Sequence, residues 1–191
     1  MKSELHVLHV TKRYPEAAGG DASAVFGLER AQRRNGHRVT VVTSNCSSIV
    51  DGPHIHKFGL RISEMALDQI SVRRILSCLW GVVWGLRLLR SERPDVVHAH
   101  APDLGASLAL PARLLGIPHV LTLHGTSIGN PMFGPRSWLE RVLVRVGRYD
   151  RLFTVDPQAL PSLSGLSRTS PLFIANGVAS EDFPERRPPE Q

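Results

Sequence analysis

The chain has 191 residues, 42% hydrophobic and 21% charged, so it is long enough for one well-buried domain, short for two, and outside the disordered and fibrous classes. Lysine and arginine exceed aspartate and glutamate by 23 to 17, and the formal +6 argues for an anionic neighbour: phosphate, nucleic acid or a lipid surface. Cys46 and Cys78 are far apart and in no CxxC pair, which disfavours a disulfide framework or a thiolate metal site and suits a reducing cytoplasm.

In chain order, the N-terminus MKSELHVLHV lacks a charged segment followed by a long apolar run, so residues 5 to 10 read as a strand and not as a signal peptide. A helix over 21 to 35 follows, with Asp21 or Ser23 as its N-cap and Asn35-Gly36 as a left-handed stop. Strands are expected at 38 to 44 and, more weakly, at 54 to 59, then a helix over 71 to 92. The rest alternates strand 95 to 100, helix 103 to 116, strand 119 to 125, helix 136 to 148, and strands at 151 to 156 and 171 to 177. Near-continuous apolar strands separated by helices predict a doubly wound, mostly parallel Rossmann-like α/β sheet of six or seven strands, covered on both faces. Residues 1 to 184 are expected to form one domain, and the proline-rich, charged 185 to 191 a loose tail or the start of a linker.

In such a sheet ligands bind outside the carboxyl ends of the strands. The first strand leads into TKRYPEAAGGD, where Gly19 and Gly20 either let the backbone approach a phosphate or sugar ahead of a helix N-terminus, or form a simple turn. The spacing is not GxGxxG, and Thr43, Ser44 and Asn45 end the second strand where a nicotinamide site would place an acid, which disfavours a dehydrogenase.

His98 and His100 lie two apart on one strand and so share a face, with His100 nearer the carboxyl end. His98 reads as a satisfied interior imidazole, whereas His100 and His124 end neighbouring strands and can face one crevice. No HExxH and no cysteine or carboxylate cluster accompanies them, so no metal is expected, and no GxSxG elbow supports nucleophilic hydrolysis.

Three stretches in order, GGDASAVFGLERAQRRNGHRVTVVTS, PDVVHAHAPDLGASLALPARLLGIPHVLTLHG and PLFIANGVASEDF, resemble the N-terminal half of retaining glycosyltransferases of the GT-B fold, family 4. The likeness spans about residues 5 to 184. It implies a two-domain enzyme that moves a sugar from a nucleotide donor to an acceptor held mainly by this domain, with the nucleotide sugar as substrate and no cofactor. The family's glycine pair against donor phosphates or acceptor carries onto Gly19 and Gly20. Its histidine that contacts the donor sugar and supports the leaving group carries onto His124, followed by Gly125 and Thr126. Its NGV element, before the linker to the nucleotide domain, carries onto Asn176, Gly177 and Val178.

One feature of that family is missing. Its nucleotide-gripping domain holds a Glu-x7-Glu pair, and no two glutamates of this chain are eight positions apart. Stabilising a departing diphosphate needs donors aimed at its oxygens, and those basic residues belong to the other half. The chain is therefore expected to be inactive alone and to need a C-terminal nucleotide-binding domain or subunit, whether it is a piece of a longer protein or one partner of a split transferase.

The helix over 71 to 93 adds a separate clue. A helical wheel gathers Ile75, Leu79, Val82, Val83, Leu86 and Leu89 on a core-facing side and sets Arg73, Trp80, Trp84 and Arg87 opposite. Outward tryptophans beside arginines suit a helix lying at an anionic membrane surface and a lipid-linked acceptor; the alternative is packing on a neighbouring helix. Its twelve uncharged residues, 75 to 86, are too few to span a bilayer, which takes about twenty. A second class of function is thus a non-catalytic scaffold that docks a membrane or a partner transferase subunit. Nucleic acid is not expected as a partner, because the arginines are scattered and no aromatic platform interleaves a basic strand.

Overall fold

The computed structural model describes residues 4–14, 20–46, 52–62, 72–125, 128 and 134–177. In order, the elements are β1 (His6–Thr11), α1 (Gly20–Arg34), β2 (Arg38–Cys46), β3 (Ile55–Ile62), α2 (Val72–Glu92), β4 (Val96–Ala99) and α3 (Pro102–Leu114). They continue with β5 (His119–Leu123), α4 (Gly134–Gly147), β6 (Arg151–Thr154), a 3-10 turn at Pro157–Ala159, α5 (Leu160–Leu163) and β7 (Leu172–Phe173). Seven described strands form one open sheet in the order β3-β2-β1-β4-β5-β6-β7, and every neighbouring pair is parallel. This is the doubly wound Rossmann-like sheet that the alternation of strands and helices predicts, and the weak candidate at 54 to 59 is β3.

Strand alternation separates two faces. Leu8, Val10, Val42, Val97, Ala99, Leu121, Leu123 and Leu152 point into the main core with Leu88, Leu89, Leu104 and Leu108 of α2 and α3. On the other face, Val39 and Val41 pack with Val25 of α1 and with Tyr14. Continuing the same alternation, His9, His98, Thr122 and His124 fall on the α1 side. Helix α1 starts at Gly20, so Asp21 and Ser23 lie inside its first turn and neither is the cap the sequence suggested. Its end matches expectation: Gly36 has φ 82°, and His37 N and Gly36 N donate to the Gln32 and Arg33 carbonyls at 3.0 Å each.

Helix α2 is turned differently from the wheel. It presents two glycines to the core: a Cβ on Gly81 would sit 2.3 Å from the Phe58 ring, and one on Gly85 2.3 Å from Leu108 Cδ2. Close backbone approach outweighs the apolar stripe here. Leu79 and Val83 are therefore exposed, and Trp84 packs edge-on against Phe58 with ring centroids 5.2 Å apart. Trp80 and Arg87 do face outward. Arg73 lies in the first turn of α2.

Candidate functional site

The strand order reverses between β1 and β4, whose carboxyl ends open a crevice at the point where sheets of this type take ligands. Parallel pairing aligns His9 of β1 with His98 of β4, and His98 with Val120 of β5, so the α1-facing residues of three adjacent strands collect there. The result is a file of imidazoles. Gln32 Oε1 of α1 lies 2.7 Å from His9 Nε2, His9 Nδ1 lies 2.9 Å from His100 Nε2, and His100 Nδ1 lies 2.8 Å from His124 Nε2. His98 stacks beside this file, 4.2 Å from the His100 centroid, and its Nε2 meets Thr122 Oγ1 at 2.8 Å.

Burial sets the charge of the group. It lowers the pKa of His9 to about 4 and that of His98 to about 3, the latter helped by the neighbouring His9, and it holds His100 well below the usual range. His124 is lowered by burial too, with the Asp21 carboxylate and Asn176 pulling the other way. The file is neutral at pH 7. Asp21, in the first turn of α1, and Asn176 are thus both near enough to act on His124. His124 Nδ1 is buried and makes no hydrogen bond of proper geometry.

His9, His98 and His100 each bring one nitrogen within 4.8 Å of the others. The rings lie side by side, tilted by 33° to 42°, and the His9 and His100 nitrogens bond to each other. Zinc ligation asks instead for lone pairs converging on a point about 2.0–2.1 Å from each nitrogen.

Three glycines at the carboxyl edge of the sheet have no packing reason. A Cβ on Gly20, Gly125 or Gly177 would meet nothing within 4 Å, and none of the three has positive φ. By contrast, a Cβ on Gly105 would strike Tyr149 Oη at 2.5 Å. The rim glycines leave room rather than permit the fold. At the same edge, Lys12 pairs with Asp103 at 3.5 Å and Arg13 with Asp21 at 3.8 Å.

The structure gathers Gly20, His100, His124, Gly125, Asn176 and Gly177 at the carboxyl edge, while Gly19, Thr126 and Val178 lie outside the described residues. His98 is satisfied as the sequence suggests. His100 is only 6% exposed with both nitrogens engaged by other histidines, so the open wall of the crevice is His124 and His100 stands behind it. His9 and Gln32 were not singled out from the sequence. The alternation in LHVLHV could have placed His9 on the same face as His98, but the β1–β4 pairing that joins them is non-local.

Among solved structures, the chain is similar to sucrose-phosphate synthase from Thermosynechococcus elongatus, with TM-score 0.66 and 14% identity over 90% of this chain and 48% of that one. It is also similar to MurG of Acinetobacter baumannii (TM-score 0.60, 14% identity, 94% and 48% covered). UDP-GlcNAc 2-epimerase from Neisseria meningitidis, solved bound to UDP-GlcNAc, is comparable (TM-score 0.60, 15% identity, 90% and 46% covered). The chain thus spans about half the length of these structures. At such identities the likeness shows the fold, and proteins named as a synthase and as an epimerase share it, so fold alone does not assign a reaction. No curated protein matches the chain. The family is decided by sequence: residues 18–181 fit the model of Glycosyltransferase Family 4, and the chain belongs to that family.

Proposed function

We propose that this chain is the acceptor-binding lobe of a retaining, nucleotide-sugar-dependent glycosyltransferase, completed by a second, nucleotide-binding lobe. The observation that carries the reading is the carboxyl edge at the β1–β4 switch point, where His124, whose buried Nδ1 makes no hydrogen bond of proper geometry, shares an edge with Gly20, Gly125 and Gly177, each with open space where a Cβ would be. Such a pocket offers close backbone approach and a hydrogen-bond acceptor, and the acceptor suits a polyhydroxylated substrate better than an ionised diphosphate, which has no proton to donate. The charges agree. Lys12 and Arg13 are each paired with a carboxylate, so the positive field that stabilises a departing nucleoside diphosphate comes from elsewhere. Edge strand β7 supports a missing neighbour as well: Leu172, Phe173 and Ile174 are consecutive and all about half exposed, although inner strands of a parallel sheet are covered on both faces. His124 contacts the transferred sugar, and Asn176 and Gly177 lie beside it. The test is sugar transfer by the two-lobed enzyme with His124→Ala; loss of turnover with folding retained supports the site, and undiminished turnover contradicts it.

A second reading rests on α2. Leu76, Leu79, Trp80 and Val83 form an exposed apolar stripe, continued by Arg87 and Arg90. We propose that this stripe lies in the interface of an anionic membrane, on the cytoplasmic side, and brings the crevice to a lipid-linked acceptor. No described helix is long and apolar enough to cross a membrane. Flotation with liposomes that contain or lack phosphatidylglycerol tests it: binding only to the anionic vesicles supports docking, and no binding to either refutes it.

A further inference from the structure

The imidazole file has a direction. Each imidazole in it is neutral and so carries one proton, and each N···N contact can be a hydrogen bond only if one ring donates and the other accepts. Only two arrangements satisfy both N···N bonds. In one, His9 Nε2 donates to Gln32 Oε1, which leaves His9 Nδ1 to accept from His100 Nε2 and His100 Nδ1 to accept from His124 Nε2. His124 Nδ1 is then a bare lone pair. In the other, the Gln32 amide nitrogen donates, every proton moves to the opposite ring nitrogen, and His124 Nδ1 becomes an N–H.

We infer that Gln32, His9 and His100 are positioning residues that lock His124 in its Nε2–H form, so that its Nδ1 acts as a hydrogen-bond acceptor for a ligand hydroxyl. One observation selects this direction: the amide oxygen of Gln32 is the atom that faces His9. Nδ1 of His124 is buried and makes no hydrogen bond of proper geometry, with the Asn176 side chain near the ring. Buried rings that stay neutral keep the pattern from being scrambled by protonation.

The information therefore starts on α1, on the covered face of the sheet, and reaches the crevice through two buried rings. Among the described residues, Gln32 connects to His124 through His9 and His100. The identity of the ligand hydroxyl as one on a sugar rests on the proposed transferase function; the proton positions do not, because they are set without substrate.

The test is side-chain 15N NMR of the labelled 191-residue chain, which distinguishes a protonated from an unprotonated imidazole nitrogen. In the wild type, His124 is expected to show an unprotonated Nδ1 and a protonated Nε2. Gln32→Glu, whose carboxylate can only accept, should preserve that pattern. Gln32→Lys, which can only donate, should invert it, so that the Nδ1 resonance moves to the protonated position three rings away from the substitution. Gln32→Leu removes the terminal partner and should give resonances averaged between the two. A protonated Nδ1 in the wild type, or a His124 pattern indifferent to all three substitutions, overturns the inference. Because Gln32 lies half-buried on a helix surface, dispersed amide spectra serve as the folding check for each variant, and either Gln32→Lys or Gln32→Leu, once folded, decides the matter. A correct pattern combined with an enzyme that transfers no sugar would leave the relay standing and remove the transferase reading.

Discussion

His100 Nδ1 lies 2.8 Å from His124 Nε2, so the buried interior of β4 is joined directly to the open end of β5. The two imidazoles divide labour: one is enclosed by other histidines, and the other carries the free nitrogen. Replacing them should separate stability from activity. His100→Ala breaks one buried and one part-buried hydrogen bond and leaves a cavity, and should lower stability by about 2–4 kcal/mol in chemical denaturation. His124→Ala, at the rim, should change stability by less than about 1.5 kcal/mol while lowering kcat of the two-lobed enzyme about 100-fold. Equal destabilisation by both would assign His124 to packing.

The glycines make the same separation. Gly20→Ala adds a methyl group to open space in the first turn of α1 and should leave stability unchanged or raise it by about 0.5 kcal/mol. If the space belongs to a ligand, KM for the acceptor rises. Gly105→Ala, aimed at Tyr149 and Ala99, should instead cost about 1–3 kcal/mol with little direct effect on KM. Thermal denaturation and steady-state kinetics on the two variants check both halves.

Acid should unfold this protein early. His9 and His119 have folded pKa values lowered by burial to about 4, and His98 to about 3, against 6.5 for the free side chain. Between those limits the unfolded chain binds protons that the folded chain does not, so stability is fully present above pH 6.5 and falls as pH drops through that window. Each imidazole contributes a slope on the order of 1 kcal/mol per pH unit. His119, whose two ring nitrogens have no hydrogen-bond partner, isolates one term. His119→Leu should flatten the decline measured by urea denaturation between pH 7 and 5 without loss of stability at pH 7. An unchanged slope would contradict the assignment.

On α2 the two tryptophans should behave oppositely. Trp84→Ala removes the Phe58 contact and should cost about 2–3 kcal/mol, somewhat less than a fully buried aromatic. Trp80→Ala together with Leu79→Ala should leave the melting temperature within a few degrees and weaken flotation with anionic liposomes at least tenfold, since each side chain is more than half exposed. Flotation unchanged by the double substitution would remove the membrane role from this stripe.

Much of the architecture was legible because it is local. Apolar runs such as RVTVVTS and LFTV mark strands, Asn35-Gly36 marks a helix end, and their alternation forces a parallel sheet. Even the faint candidate at 54 to 59 became β3. The face of α2 was not legible, since a wheel ranks residues by hydropathy and cannot show that Phe58 and Leu108 come close enough to demand glycine at positions 81 and 85. The short α5 offers too few residues for a periodic signal. At the site, His124 followed from its place at a strand end. His9 and Gln32 did not, because their role exists only once β1 lies beside β4 and α1 covers both.

The most direct test of the account is transfer of radiolabelled sugar from a panel of nucleotide sugars, measured with the 191-residue chain alone and again with the nucleotide-binding lobe supplied. The account predicts no turnover by the chain alone and turnover when both lobes are present. Full-rate transfer by the chain alone, or none with both lobes together, would contradict it.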